Sequence, residues 1–165
     1  MPESMKVVAI LAGSPALSSI LNAVLAAAPG LRVRSFETQA ALTAYMRLCP
    51  VDLVVGDFDC EAAPADRLAS ALRGNASLAQ RNFQILALTS AVDEDMRAVA
   101  AKCGINEVIV KPMSPRYLLE RVEARLRQPH RPRLSIVRAE VPREIVYRDN
   151  VVPLFPKGQP PRPTA

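Results

Sequence analysis

Five short stretches dense in Val, Ile and Leu recur along the first 126 residues, each followed by a segment with helical spacing, and few folds accommodate that alternation. Val7 to Leu11, Leu31 to Phe36, Val51 to Gly56, Phe83 to Leu88 and Glu107 to Val110 read as strands. The second carries Arg32 and Arg34 alternating outward, while the third is continuous in Val and Leu, as a strand buried on both faces should be. Between them, Ser14-Pro15 opens a helix with Leu17, Ile20, Leu21, Val24 and Leu25 on one face, and Pro29-Gly30 stops it. Ala41, Leu42, Tyr45, Met46 and Cys49 form the stripe of a second helix, and Pro64 to Arg73 a third. A fourth places Val92, Met96, Val99, Ala100 and Cys103 on one face, with Asp93, Glu94 and Asp95 in its first turn and Gly104 at its end. Ser114-Pro115 opens a fifth, with Leu119, Val122 and Leu126 at core spacing. The expectation is an α/β fold with a doubly wound five-stranded parallel sheet.

Charge and proline divide the chain. Residues 127–165 hold eight basic residues against three acidic ones and eight of the fifteen prolines, whereas residues 1–126 are neutral, with 13 of each sign. We therefore assign residues 5–127 to one α/β domain and residues 128–165 to an irregular, basic, proline-rich extension, part disordered and part a partner-binding arm. Within it, 131–138 and 144–148 alternate like short strands, and Val151-Val152-Pro153-Leu154-Phe155 is too apolar for a mere spacer. That segment would fold back on the domain, exchange with a second copy or engage another protein. Scattered arginines without interleaved aromatics argue against a nucleic-acid interface.

Three cysteines without a C-x-x-C pair and a single histidine exclude the usual zinc sites and point to a reducing, cytoplasmic setting. Cys49 and Cys103 read as buried small hydrophobes, and Cys60 as a thiol near the strand ends. The uncharged stretch from Val7 to Ala28 invites a reading as a secretory signal. Gly13-Ser14-Pro15 splits it, and the leading segment is not basic, so a strand followed by a helix accounts for the same residues. A membrane span would need ~20 uninterrupted apolar residues.

In a parallel doubly wound sheet the chemistry gathers at the carboxyl ends of the strands. There the chain places Asp57, Thr89 and Lys111: an acid, a hydroxyl and an amine. Around them run Asp52-Leu53-Val54-Val55-Gly56-Asp57, Ile85-Leu86-Ala87-Leu88-Thr89-Ser90 and Cys103-Gly104-Ile105-Asn106-Glu107-Val108-Ile109-Val110-Lys111-Pro112. In order and spacing these stretches resemble the response-regulator receiver domain, the CheY-like phosphate-accepting module of two-component signalling, over roughly residues 5–127. The resemblance implies the flavodoxin-like (βα)5 fold and a signalling module rather than an enzyme. It implies that Asp57 is the phosphoacceptor position, Thr89 the switch hydroxyl and Lys111 the phosphate-contacting lysine. It implies protein partners as well, a histidine kinase or phosphotransfer protein among them. The fourth helix and fifth strand, Val92 to Lys111, are then the expected contact face, and either that face or the C-terminal arm could join two copies.

The chain also departs from the family pattern. Receivers end the first strand in an acidic pair that holds Mg²⁺, and here those positions are Ala12 and Gly13. The aromatic expected three residues before the lysine is Val108, and the glycine expected near Ala65 is absent. Magnesium demands hard oxygen ligands, and Asp59 and Glu61, though close in sequence, are not expected to replace both lost carboxylates. The expectation is a pseudo-receiver with no cofactor, Mg²⁺ entering only if the chain is a conventional phosphorelay receiver. In the resting state Asp57 should then pair with Lys111 alone. At about 4 Å and an effective dielectric near 20, that attraction is on the order of 4 kcal/mol before desolvation. A nucleotide- or flavin-binding role is disfavoured, because Ala12-Gly13-Ser14-Pro15 lacks the glycines and lysine of a phosphate loop.

Overall fold

A computed structural model describes residues 5–128 and 134–138. In chain order these contain β1 (Lys6–Leu11), α1 (Pro15–Ala26), β2 (Leu31–Phe36), α2 (Gln39–Leu48), β3 (Leu53–Asp57) and α3 (Ala65–Gly74). They continue with β4 (Gln84–Thr89), α4 (Glu94–Lys102), β5 (Glu107–Val110), α5 (Pro115–Arg127) and β6 (Ser135–Arg138). Every adjacent pair is parallel, in the order β2-β1-β3-β4-β5-β6. The strand order reverses between β1 and β3, so the crevice at their carboxyl ends is the switch point where such sheets bind ligands.

The period of two along each strand sorts the core into two layers. Val8, Ile10, Leu53, Val55, Leu86, Leu88 and Ile109 face α1 and α5, where Leu21, Leu25, Leu118 and Val122 meet them. Ala9, Leu11, Val54, Ile85, Ala87 and Val108 face the other way, onto Leu42, Met46, Leu68, Leu72 and Ala100 of α2, α3 and α4. Helix starts follow local chemistry. Ser14, Thr38, Asp93 and Ser114 each accept the N–H three residues on, and Pro15 and Pro115 occupy first turns, where an N–H is dispensable. Gly104, at φ +78°, ends α4 in a conformation that side chains avoid.

Among the described residues the sheet has six strands rather than the expected five. β6 adds parallel to the outer edge of β5, pairing Glu107 with Ser135 and Val110 with Arg138. The alternation that marks 131–138 as strand-like is satisfied on both faces: Ile136 packs with the α4 layer and Val137 with the α5 layer. Without β6 the outer edge of Val108 and Ile109 would carry unpaired backbone groups. The apolar segment Val151–Phe155 and the strand-like 144–148 lie outside the described residues. Two other expectations give way. Cys49 and Cys103 are only partly buried, and Cys103 accepts a hydrogen bond from Ser70 Oγ. Of the five residues predicted to line α4, Ala100 alone is fully buried, and Val99 is 39% exposed.

Polar anchors hold the amino ends of the strands. Asp52 takes the Lys6 ammonium at 3.0 Å and the Val7 N–H at 2.8 Å, locking β3 beside β1. Arg73, stacked on the Phe83 ring, donates to the carbonyls of Phe83 and Gly104 and to Asn106 Oδ1. Glu107 is 0% exposed and holds Arg121 at 2.5 Å and Arg125 on its two oxygens, pinning α5 under β5. The Arg125 carbonyl in turn accepts from Gln84 Nε2 at 2.5 Å, which ties the end of α5 to β4.

Breaking a buried pair by removing one partner leaves an uncompensated charge. We expect Glu107→Ala to lower the urea-unfolding free energy by about 3–5 kcal/mol. A loss below about 1 kcal/mol would show that α5 does not depend on this carboxylate.

Candidate functional site

β3 delivers Asp57 to the switch-point crevice, and close packing sets its height: a Cβ on Gly56 would lie 3.3 Å from the Ala65 methyl of α3. Asp57 is 4% exposed. The chain then turns sharply: Asp59 N–H donates to Asp57 Oδ1 at 3.0 Å, and Cys60 N–H donates to the Asp57 carbonyl at 3.3 Å. Lys111 is placed by its own N–H, which donates to the Thr89 carbonyl at 2.7 Å and so continues the β4–β5 ladder one residue past β5.

The expected ion pair is present, with Lys111 Nζ 3.1 Å from Asp57 Oδ1. It is not exclusive. The same ammonium lies 2.7 Å from Asp59 Oδ2, so the expectation that Asp57 alone would answer Lys111 is corrected. Asp59 Oδ2 further accepts the Ser90 N–H at 3.0 Å and the Ser90 hydroxyl at 2.6 Å. Burial works to raise the Asp59 carboxyl, but hydrogen bonds from Lys111 and Ser90 and the lysine charge outweigh it and hold the group below its ordinary 3.8. Burial likewise works to lower Lys111, and the two carboxylates outweigh it, holding the ammonium above its ordinary 10.5.

Thr89 is buried, but its hydroxyl serves a local turn, donating to the Ala91 carbonyl at 2.8 Å and accepting the Ala91 N–H at 3.3 Å. Ala12 and Gly13 follow β1 beside the crevice. A Cβ built on Gly13 would stand 2.9 Å from the Cys60 Cα and 3.1 Å from its Sγ, so the loop after β3 packs directly on this glycine. Cys60 is buried. Gly13, Asp57, Asp59, Cys60, Glu61 and Lys111 border an open cavity of about 560 Å³. Among the described residues, no group of three or more His, Cys, Asp or Glu side chains is placed to hold a metal ion. A second recess, of about 330 Å³, lies at the opposite end of the sheet by Lys6, Gly30, Glu123 and Arg127. It holds no comparable convergence of groups.

The sequence reading brought Asp57 and Lys111 together correctly and left Ser90 without a role. Only the strand register reveals it. Asp57 pairs in register with Leu88, so Asp59 and Ser90 each stand two residues further along neighbouring strands.

Residues 8–123 match the family described as the response regulator receiver domain. The chain belongs to that family. Among solved structures, it is 18% identical to the chemotaxis response regulator CheY4 of Vibrio cholerae, with a TM-score of 0.65 over 73% of this chain and 98% of that one. It is 22% identical to a response regulator from Thermotoga maritima, with a TM-score of 0.63 over 75% and 99% of the two chains. It is 21% identical to the signal receiver domain of a signal transduction histidine kinase from Syntrophus aciditrophicus, with a TM-score of 0.63 over 73% and 89%. No curated protein matches the chain. At these identities the likeness establishes the CheY-like fold of parallel sheet and alternating helices.

The two perturbed groups define a pH window for the Asp59–Lys111 contact. Asp59 is lowered on folding, so its contribution is complete above 3.8 and is lost as pH falls through the lower folded value. Lys111 is raised, so its contribution is complete below 10.5 and is lost as pH rises through the higher folded value. The Ser90 amide resonance should therefore stay level from about pH 5 to about pH 9 in a ¹⁵N NMR titration. An acid step centred at or above 3.8, the ordinary Asp value, would show that the contact is absent in solution.

Proposed function

We propose that this receiver is a pseudo-receiver, signalling through protein–protein contact without an efficient Mg²⁺-dependent phosphorylation cycle. The observation that carries the reading is the crowding of Gly13 by Cys60, at the position where family members place a metal-binding acid. A carboxylate there would have to displace the loop after β3. The residues present do not fit the divalent cation. The β1 end supplies a methyl group and a hydrogen in place of oxygen ligands, and the Lys111 ammonium already lies between Asp57 and Asp59. An ammonium neutralises two clustered carboxylates that would otherwise draw in a metal ion.

On this reading Asp57 and Lys111 hold the strand ends together. Partners, whether a histidine kinase, a phosphotransfer protein or another signalling protein, meet a surface instead of reading a phosphoryl group. Of the Val92–Lys111 region, the α4 part is the proposed contact face, where Val99 is turned to solvent, because β5 is buried and its edge is paired with β6. A homodimer through this face or the C-terminal arm belongs to the same proposal. The three free cysteines fit a cytoplasmic setting. No helix among the described residues is long and apolar enough to cross a membrane.

A conventional phosphorelay role is the second reading. It is supported by Asp57 and Lys111 both bordering the open cavity; on this reading the acid accepts the phosphoryl group and the amine contacts it. One experiment separates the two. Incubated with acetyl phosphate and Mg²⁺, the protein should show no phosphoryl adduct by intact mass, and Mg²⁺ at about 10 mM should leave the Asp57 and Phe58 amide resonances unmoved. Rapid metal-dependent labelling that Asp57→Ala abolishes would establish the conventional role instead.

A further inference from the structure

β5 is buried along its whole length, and its outer edge is covered by a strand of only four residues. Ser135 N–H donates to the Asn106 carbonyl at 2.9 Å, and the register carries the pairing on to Val110 and Arg138. Leu134 and Ile136 pack with the α4 layer, and Val137 with the α5 layer. None of residues 134–137 is fully buried, and Arg138 is exposed. The segment therefore lies along β5 as an extended ligand does, held by main-chain pairing and by alternate side chains. The helix before it ends at a fixed point. Gln84 Nε2 donates to the carbonyls of Arg125 and Gln128, at 2.5 and 3.1 Å, so α5 is tied to β4 independently of β6. Five residues, 129–133, connect that point to the segment in sequence. Gln128 already has extended backbone ahead of Pro129, at φ −88° and ψ 141°, and Pro132 biases Arg131 the same way. A connection disposed to extension can carry the segment to a neighbouring molecule.

We infer that residues 134–138 are an exchangeable arm, and that the groove along β5 accepts this segment from a second copy of the chain as well as from its own. Each copy supplies a strand whose register and alternation already fit, so exchange preserves every pairing and packing contact of β6. The closed monomer and the exchanged dimer then differ only in the conformation of the connection and in the entropy of association. Protein concentration sets their balance. Exchange adds no strand: each arriving β6 replaces the resident one, and the sheet grows no wider. This rests on the reading of the chain as a protein-contact module and specifies which contact between copies the arm makes.

The test mixes two full-length variants, Val110→Cys and Arg138→Cys, whose positions face each other in the β5–β6 register. Neighbouring strands lie about 4.8 Å apart, within disulfide reach. After mild oxidation, a peptide linking positions 110 and 138 in this mixture necessarily joins two chains. Its yield should rise at least about tenfold over a roughly hundredfold increase in protein concentration. A chain carrying both substitutions should close the same bond within itself. Should Val110→Cys fail to fold, Ile109→Cys with Val137→Cys, the next pair in register, takes its place. A bond that forms in the double variant but not in the mixture would overturn the inference. So would a yield that ignores concentration, or a dimer seen by light scattering that lacks the linked peptide. The two proposals fail separately. A dimer without exchange would keep the protein-contact reading, whereas Mg²⁺-dependent labelling of Asp57 would remove the pseudo-receiver and leave this cross-link standing.

Discussion

One ammonium group shared by two carboxylates organises the carboxyl end of this sheet. Lys111 reaches Asp57 at 3.1 Å and Asp59 at 2.7 Å, so the end of β5 is bonded at once to the end of β3 and to the loop that follows it. Two acids close together in a cleft repel each other unless a cation lies between them. A lysine in that role differs from a metal ion in two respects: it is permanently attached, and it directs three N–H donors without imposing octahedral geometry. The loops above the sheet are therefore arranged around the chain's own charges.

What lets so few groups fix a site is the rigidity beneath it. The strand ends cannot splay while Asp52 ties β3 to β1, Arg73 gathers the carbonyls below β4 and β5, and Glu107 clamps two arginines of α5. These contacts cluster at the amino ends of the strands, opposite the crevice. Between the two ends lie layers of close-packed aliphatic side chains, whose density resists small displacements. The functional end thus inherits its geometry from a floor it does not touch.

Much of this was legible from local chemistry. Ser14-Pro15 and Ser114-Pro115 announce helix starts because a capping hydroxyl and a missing N–H act within a few residues. Asp57 and Lys111 could be joined because a parallel sheet brings strand ends together whatever their separation in sequence. The remainder depends on long-range register. β6 has only four residues, and its alternation acquires meaning only when β5 offers an edge. Asp59 and Ser90 meet because their strands are aligned two residues below them, which no local pattern records. Helix α4 appeared fully amphipathic by spacing, yet it is turned so that Ala100 carries the burial and Val99 faces water.

The sixth strand has a further consequence, for how such sheets could aggregate or assemble. With β5 enclosed, the sheet's rims among the described residues are β2, where Arg32 and Arg34 stand exposed, and β6, which is four residues long and ends at the exposed Arg138. Guanidinium groups along one rim and brevity at the other are both ways of discouraging strand-by-strand growth. A second chain approaching this molecule would then find its footing on helices rather than on a continuation of the sheet.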